Sequence, residues 1–196
     1  MKRVLLLLSD GFEAFEAAAF TDVLGFASAY GDEDIEIVTV GLHPQLHCTF
    51  GFTVVPDMQL AELELDSFDA LAIPGGFKNA GFYNDAYSES FLDVIREFSR
   101  NDKPIGAICT GGLPLARSGV LTGRHATTYH LLDGVRRKEM AEMGVTVVDE
   151  SVVQDANVVT STSPTTAADV AFTLLGLLTS TENVARTRHV MGFDKS

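Results

Sequence analysis

Apolar residues in this chain fall into short continuous runs separated by longer stretches of mixed character. Runs without alternating polar residues are typical of strands buried on both faces of a parallel sheet. The candidate strands are Val4–Leu8, Ile35–Val40, Phe68–Ile73, Pro104–Ile108 and Val158–Thr160, with shorter ones at Thr53–Pro56, Arg124–Thr127 and Thr146–Val148.

The stretches between the strands have helical spacing. In Ser88–Arg100, apolar side chains recur every three or four residues with charged residues between them. The other candidate helices are Glu13 to about Tyr30, Leu113–Ser118 and Thr165–Leu178, while Asn183–Met191 either continues the last one or stands apart. This alternation predicts an α/β fold, a sandwich of helices on both faces of a mostly parallel central sheet. No linker or repeat interrupts the pattern, so we expect one domain over residues 1–196.

Composition narrows the class of protein and of partner. The chain of 196 residues is 46% hydrophobic and 21% charged, which is close to soluble globular proteins and unlike disordered or coiled-coil chains. Its 27 acidic and 14 basic residues give a net charge of −13, and this charge repels phosphate backbones and anionic lipid. We therefore expect a small-molecule substrate and no nucleic-acid or membrane partner.

The N-terminal run and the cysteine count bear on location. Val4–Leu8 is shorter than the roughly 7–15 apolar residues of a secretory leader, and no run approaches the ~18 residues of a membrane span. Two cysteines, Cys48 and Cys109, are too few for a disulfide framework. These features predict a cytoplasmic protein with free thiols.

Cys109 lies where a buried strand passes into the glycine-rich start of a helix, Cys109-Thr110-Gly111-Gly112. A tight turn at such a place exposes the sulfur in the manner of a nucleophile elbow. Backbone N–H groups at the helix start are expected to lower the thiol pKa below ~8.5. The alternative is a buried, inert cysteine, which is the commoner case.

Two further segments are expected to meet Cys109, because the carboxyl ends of parallel strands share one edge of the sheet. Gly75 and Gly76 follow a strand and offer backbone N–H groups for an oxyanion hole, or they form a turn that needs glycine. Glu16 is placed to face inward, where burial favours its protonated form and lets it shuttle a proton to the thiol. Glu13 is the competing candidate, and both carboxylates also suit a helix N-terminus.

The histidines fit this picture less well. His130 follows a candidate strand and is the one placed to orient or deprotonate Cys109, with a surface or structural role as the alternative. No His-Glu-x-x-His or paired-cysteine spacing predicts a metal site, and no cofactor is expected. Cys48 lies in a loop and is expected to be a secondary oxidisable thiol.

Several motifs together resemble the DJ-1/PfpI (ThiJ) superfamily of class I glutamine amidotransferase-like proteins. In chain order they are Asp10-Gly11-Phe12-Glu13-Ala14-Phe15-Glu16, Ala72-Ile73-Pro74-Gly75-Gly76, Ala107-Ile108-Cys109-Thr110-Gly111-Gly112, Leu121-Thr122-Gly123-Arg124-His125-Ala126-Thr127-Thr128 and Val147-Val148-Asp149-Glu150. The resemblance covers nearly the whole chain. It implies a flavodoxin-like three-layer sandwich, a homodimer, Cys109 as elbow cysteine, Glu16 as its acidic partner, and the amides of Gly75 and Thr110 as anion donors.

Departures from the family pattern leave the branch open. Thr110 stands where protease-like members carry a histidine directly after the cysteine, which disfavours a Cys–His hydrolase. Tyr129 stands where DJ-1-like members tend to have histidine, and no arginine near Phe26 or Phe50 matches those that assist anion binding in some DJ-1 proteins. The Cys-Thr-Gly and Ala-Thr-Thr segments lean toward isonitrile-hydratase-like members.

The leading hypothesis is cofactor-independent chemistry on small reactive carbonyls, of the glyoxalase or deglycase type. It uses the Cys109 thiolate as nucleophile and Glu16 as proton shuttle. The residues expected to bind the oxyanion and substrate are Gly75, Gly76, Thr110 and Gly111. Two alternatives stay open: a redox-sensing, chaperone-like stress protein with an oxidisable Cys109, and an isonitrile hydratase or amidase/protease-like hydrolase assisted by His130.

Overall fold

The computed structural model describes residues 1–194. The strands are β1 (Lys2–Leu8), β2 (Ile35–Gly41), β3 (Leu46–His47), β4 (Thr53–Val54), β5 (Met58–Gln59), β6 (Ala70–Ile73), β7 (Ile105–Ala107), β8 (His125–Ala126), β9 (Thr146–Val147), β10 (Val152–Asp155) and β11 (Val158–Ser161). The α-helices are α1 (Ala14–Tyr30), α2 (Phe82–Ala86), α3 (Glu89–Arg100), α4 (Gly112–Arg117), α5 (Val135–Glu142), α6 (Ala167–Leu178) and α7 (Thr181–Val190).

Seven strands form the central sheet in the order β10-β11-β7-β6-β1-β2-β5. The β10–β11 pair is antiparallel, and the other neighbours are parallel. Taken in chain order, the parallel strands β1, β2, β6, β7 and β11 are arranged 2-1-3-4-5, which is the flavodoxin-like order. The predicted α/β fold with a mostly parallel sheet between helices is confirmed.

β1 shows why the strand runs are continuous. Val4, Leu6 and Leu8 pack into the layer formed with α1 and α6, while Leu5 and Leu7 pack into the opposite layer, which contains α3 and α4. All five side chains are 2% exposed or less. Burying a side chain of this size contributes about 1.5–3 kcal/mol, so a polar residue on either face of β1 would destabilise a core layer.

α1 carries the first candidate residue into that core. Its buried face contains Glu16 together with Phe20, Val23 and Leu24, which recur at helical spacing. Glu13 is the N-cap of this helix and makes no side-chain capping bond. A carboxyl group is therefore held among apolar side chains at the sheet edge.

The structure adds elements that the pattern did not predict: β3, β5, β10, α2 and α5. α2 spans five residues, and α5 buries Met140 alone, so neither has an apolar periodicity to detect. Asn183–Met191 belongs to a separate helix, α7, which Ser180 caps by accepting a hydrogen bond from the Asn183 N–H at 3.1 Å.

Within residues 1–194, no helix has the length and apolar character to cross a membrane. The single domain over 1–196 stays a prediction, and residues 195–196 lie outside the described part.

Candidate active site

The carboxyl ends of β1, β6 and β7 meet at one edge of the sheet, where the strand order reverses between β1 and β6. The segments that follow these strands are hydrogen bonded to one another. The Glu13 N–H donates to the Gly75 carbonyl at 2.7 Å, and the Gly76 N–H donates to Thr110 Oγ1 at 2.9 Å. The three candidate segments therefore converge as the topology predicts.

Cys109 occupies a sharp turn between β7 and α4. Its φ is +56°, a left-handed backbone conformation that costs a non-glycine residue roughly 1–3 kcal/mol. The turn is held by the Thr128 hydroxyl, which donates to the Cys109 carbonyl at 2.8 Å. At Gly111, a Cβ atom would lie 2.8 Å from the Ile73 carbonyl oxygen, so glycine is needed for the turn to press against β6. This strained turn is the predicted elbow.

Glu16 lies beside the elbow and is 1% exposed. Its Oε2 accepts a hydrogen bond from the Gly75 N–H at 2.6 Å, while Oε1 has no hydrogen-bond partner among the described residues. Burial raises the pKa of Glu16 to about 7, against the opposing effects of the Gly75 amide and of Cys109. The carboxyl group is therefore poised to exchange a proton near neutral pH.

Burial also raises the pKa of the Cys109 thiol, and the charge of the neighbouring Glu16 carboxylate raises it further. The Thr110 N–H acts in the opposite direction, as the helix start predicts, but desolvation outweighs it. The expected lowering of this pKa is therefore wrong. The carboxyl and the thiol titrate as a pair, in which Glu16 is the group that ionises near neutral pH.

Gly75 and Gly76, the two glycines after β6, do not offer free N–H groups for an oxyanion hole as predicted. The amides of Gly75 and Gly76 are engaged by Glu16 and by Thr110 Oγ1, which donates in return to the Gly76 carbonyl at 2.9 Å. A Cβ at Gly75 would lie 2.6 Å from Thr110 Oγ1 and 2.9 Å from Glu16 Oε2. Gly75 is thus required for close approach, and the two amides are not free to bind an oxyanion. The Thr110 N–H, which acts on the sulfur, remains as an amide donor.

A cavity of about 100 Å³ opens over Cys109. It is small beside the roughly 300–1,000 Å³ of pockets that take drug-sized ligands, so it suits a substrate of few atoms. Its lining residues are Glu13, Glu16, Gly76, Phe77, Lys78, Tyr83, Cys109, Thr110, Tyr129, Leu132 and Arg136.

The fold and this site can be compared with known proteins. The family model described as "DJ-1/PfpI family" matches residues 2–177. The chain belongs to the DJ-1/PfpI family. The resemblance indicated by the motifs is thereby confirmed.

Relatives agree with this assignment. Protein dj-1beta of Drosophila melanogaster is 30% identical over 187 residues, which cover 93% of this chain and 92% of that protein. An uncharacterised protein of Staphylococcus epidermidis is 34% identical over 166 residues, 83% of this chain and 90% of the relative. The crystal structure of Drosophila DJ-1beta superposes with a TM-score of 0.84 at 27% identity and covers 97% of both chains.

The remaining candidate residues differ in whether they line the cavity. Glu13 lines the cavity beside Glu16, and burial raises its pKa as well. His130 is exposed and does not line the cavity, whereas Tyr129 does. Gly111 contributes to the turn rather than to the cavity wall. In residues 1–194, no group of three or more His, Cys, Asp or Glu side chains is arranged to hold a metal ion.

Sequence reasoning missed the far wall of the cavity. Tyr83 comes from α2 and Arg136 from α5, the two helices without detectable periodicity. Tyr83 and Tyr87 lie four residues apart, a spacing that is compatible with a helical turn there. The sequence has no arginine near Phe26 or Phe50, where some DJ-1 proteins carry one. Arg136 nevertheless places a cation at the cavity wall.

Proposed function

We propose that the protein is a cysteine-dependent enzyme that acts on small reactive carbonyl compounds, with chemistry of the glyoxalase or deglycase type. The observation that carries the proposal is Glu16, a buried carboxyl group with a pKa of about 7 placed beside the elbow sulfur. A general base is most effective when its pKa lies near the working pH. Membership in the DJ-1/PfpI family supports the same pairing of Glu16 with Cys109.

The first step of the proposed reaction joins the sulfur to the substrate. The Glu16 carboxylate accepts the thiol proton as Cys109 Sγ attacks the aldehyde carbon of a 2-oxoaldehyde such as methylglyoxal. A C–S bond forms and the aldehyde oxygen takes the electron pair of the carbonyl bond. The Thr110 N–H donates a hydrogen bond to that oxygen. The product of this step is the alkoxide form of a hemithioacetal.

The second step moves a hydrogen between neighbouring carbons. Glu16 returns its proton to the alkoxide oxygen, takes the proton of the former aldehyde carbon to leave an enediolate, and delivers that proton to the former ketone carbon. The hydroxyl proton of the hemithioacetal passes to the former ketone oxygen, and the former aldehyde carbon becomes the carbonyl carbon of a thioester. One carbon is oxidised and the other is reduced, so the step needs no external oxidant. Water then cleaves the resulting thioester, which releases the 2-hydroxy acid and restores the thiol.

The decisive experiment follows the conversion of methylglyoxal to lactate. Cys109→Ser is expected to lower kcat/KM by about 10³-fold or more. Cys48→Ser is the matched control, and we expect it to stay within about twofold because Cys48 does not line the cavity. Turnover that survives Cys109→Ser would overturn the proposal.

The redox-sensor alternative has less support. The thiolate is the form that peroxide oxidises, and the raised pKa of Cys109 keeps the sulfur largely protonated. Mass spectrometry after exposure to dilute peroxide tests this alternative. A gain of about 32 daltons on Cys109, the two oxygens of a sulfinic acid, would favour it over the enzyme.

The isonitrile-hydratase or amidase/protease-like alternative needs a further proton carrier. His130 was the candidate for that role, and it is exposed outside the cavity. The support for a hydrolase assisted by His130 is therefore weaker than the support for a Cys–Glu mechanism.

We also propose a homodimer, as the family resemblance implies. Phe15 on α1 and Phe50, Phe52 and Val55 around the β3–β4 hairpin are exposed by 63–74%, and large apolar side chains left exposed are available to an interface. Light scattering is expected to give twice the chain mass of 21.1 kDa, and a single chain mass would contradict the dimer. A cytoplasmic location stays a prediction.

A further inference from the structure

Tyr83 lines the cavity, and its ring is held on three sides. Its ring centroid lies 5.1 Å from that of Phe82 and 4.8 Å from that of Tyr87. The Arg136 guanidinium lies 5.1 Å from the Tyr83 ring centroid, and is itself held by Glu139 through an Nη1–Oε2 ion pair of 2.8 Å. The position of the ring is therefore set by contacts that do not involve the Tyr83 hydroxyl.

The hydroxyl of Tyr83 is the unsatisfied part of this arrangement. It is buried, and no described residue exchanges a hydrogen bond with it. The hydroxyl of Tyr87, one turn later, donates to Glu139 Oε1 at 2.8 Å. A phenylalanine would make the same ring contacts without the cost of a buried, unpaired donor. The presence of the Tyr83 hydroxyl is explained if a bound ligand supplies the hydrogen-bond acceptor that the protein lacks.

The place of the phenol supports a role at the elbow. Tyr83 lines the same cavity as Cys109 and Thr110. Burial raises the pKa of Tyr83 to about 12, so its hydroxyl remains a protonated donor at neutral pH. The amides of Gly75 and Gly76 are already engaged, so they are not free to bind a second substrate oxygen.

We propose that the Tyr83 hydroxyl donates a hydrogen bond to the oxygen on the carbon next to the one that Cys109 attacks. The site then selects 2-oxoaldehydes and other small electrophiles that carry an acceptor at that position. This inference rests on the proposed function, because it requires a small electrophile to meet Cys109 in the cavity.

Two alkylating reagents test the subsite without relying on turnover. Iodoacetamide and allyl iodide each transfer a methylene carbon to Cys109 Sγ with loss of iodide. Only iodoacetamide carries a carbonyl oxygen on the neighbouring carbon, where methylglyoxal carries its ketone. Second-order rate constants for both reagents are measured by mass spectrometry in a Cys48→Ser background, about one pH unit above the pKa of Glu16. Tyr83→Phe is the test variant and Tyr87→Phe the matched control.

Tyr83→Phe is expected to lower the iodoacetamide rate constant about five-fold, the value of one net hydrogen bond, and to leave the allyl iodide rate constant within about twofold. Tyr87→Phe should leave the ratio of the two constants unchanged. The thermal midpoint of Tyr83→Phe should not fall, since the lost hydroxyl has no partner in the protein.

Two results would overturn the inference. One is an unchanged ratio in Tyr83→Phe, which includes an equal fall with both reagents, and the other is no labelling of Cys109 by either reagent. The subsite and the proposed reaction can fail separately. If Tyr83→Phe shifts the ratio but the protein does not convert methylglyoxal, the subsite stands and the proposed reaction is rejected. If the protein converts methylglyoxal but the ratio does not shift, the reaction stands and the subsite is rejected.

Discussion

The elbow after β7 and the β3–β4 hairpin each hold one cysteine, and the two are buried to nearly the same degree. Cys109 is 7% exposed and Cys48 is 6% exposed, and burial is the largest cause that raises the pKa of both thiols. Their surroundings differ. Cys109 sits in a strained turn beside Glu16, while Cys48 lies in a hairpin where its N–H donates to the Phe52 carbonyl at 2.7 Å. Burial alone therefore does not make a candidate nucleophile, whereas a neighbouring group that exchanges protons near neutral pH does.

The largest expected effect comes from removing that group. Glu16→Gln keeps an oxygen for the Gly75 amide but cannot carry a proton, so kcat/KM for methylglyoxal is expected to fall by about 10²–10⁴-fold. The same substitution removes a negative charge that raises the pKa of Cys109, so that pKa should fall toward ~8.5. Thiolate absorbance in a Cys48→Ser background measures the second change.

These two measurements together distinguish two roles of Glu16. A loss of activity combined with a lower pKa of Cys109 would identify Glu16 as the general base. If the pKa of Cys109 rose in Glu16→Gln, the carboxyl group would be supporting the thiolate as a hydrogen-bond donor rather than acting as its base. An equal activity loss in Cys48→Ser would erase the distinction between the elbow and the hairpin.

The next effect is the pH dependence of stability. The pKa of Glu16 rises from 4.5 to about 7 on folding, which corresponds to about 3 kcal/mol. Because the folded state holds the proton more tightly, this stability is complete below about pH 4.5 and is lost as the pH rises through about 7. Glu16→Gln has no such group and should not lose this stability. Its free energy of unfolding, relative to that of the wild type, should therefore rise by about 3 kcal/mol between about pH 4.5 and pH 7. Urea unfolding at a series of pH values measures it.

The hairpin supplies the control for this pH dependence. Cys48→Ser removes a thiol whose pKa is already raised above its ordinary value of 9.0, so it should follow the wild-type profile across the same range. A flat difference between Glu16→Gln and the wild type would mean that Glu16 ionises in the folded protein at its ordinary pKa, and would remove the basis for the proton shuttle.

A smaller effect compares two threonines. Thr110 Oγ1 accepts from the Gly76 N–H and donates to its carbonyl, both at 2.9 Å and both buried. Thr49 Oγ1 in the hairpin donates to the Gly11 carbonyl at 2.7 Å and is half-buried. Thr110→Val leaves a buried donor and acceptor unpaired and should cost about 2 kcal/mol, while Thr49→Val should cost about 1 kcal/mol or less. Denaturant unfolding compares the two variants. Equal losses would show that the elbow is not held more tightly than the hairpin.

The elements that form the sheet could be predicted because a strand buried on both faces leaves an uninterrupted apolar run. β1, β6 and β7 follow that rule, whereas β2 contains the exposed Glu36 and β11 ends in the buried but polar Thr160 and Ser161. α2 and α5 could not, since their packing uses aromatic, charged and single apolar contacts rather than a repeated face. The meeting of Cys109, Glu16 and Gly75 followed from topology alone, because strand ends share an edge.

The electrostatics of the site were harder to predict. Whether the thiolate form of a cysteine is stabilised depends on the balance between a helix-start amide and the loss of solvent. That balance is set by the three-dimensional packing around the sulfur and not by the residue pattern. The occupation of the Gly75 amide by Glu16 depends on a 2.6 Å approach that no residue pattern encodes. Tyr83 escaped notice because it sits on an element that the pattern did not contain.

The smallest expected effect belongs to His130. It is exposed and lies outside the cavity, so His130→Ala should change kcat/KM for methylglyoxal by no more than about twofold, as surface substitutions do. Tyr129→Ala, one residue earlier and on the cavity wall, should raise KM more than it lowers kcat, because it removes contact area from the bound substrate. Steady-state kinetics on the two variants test both expectations. A hundredfold loss in His130→Ala would make a histidine the proton carrier, and the hydrolase alternative would then gain the group that it lacks.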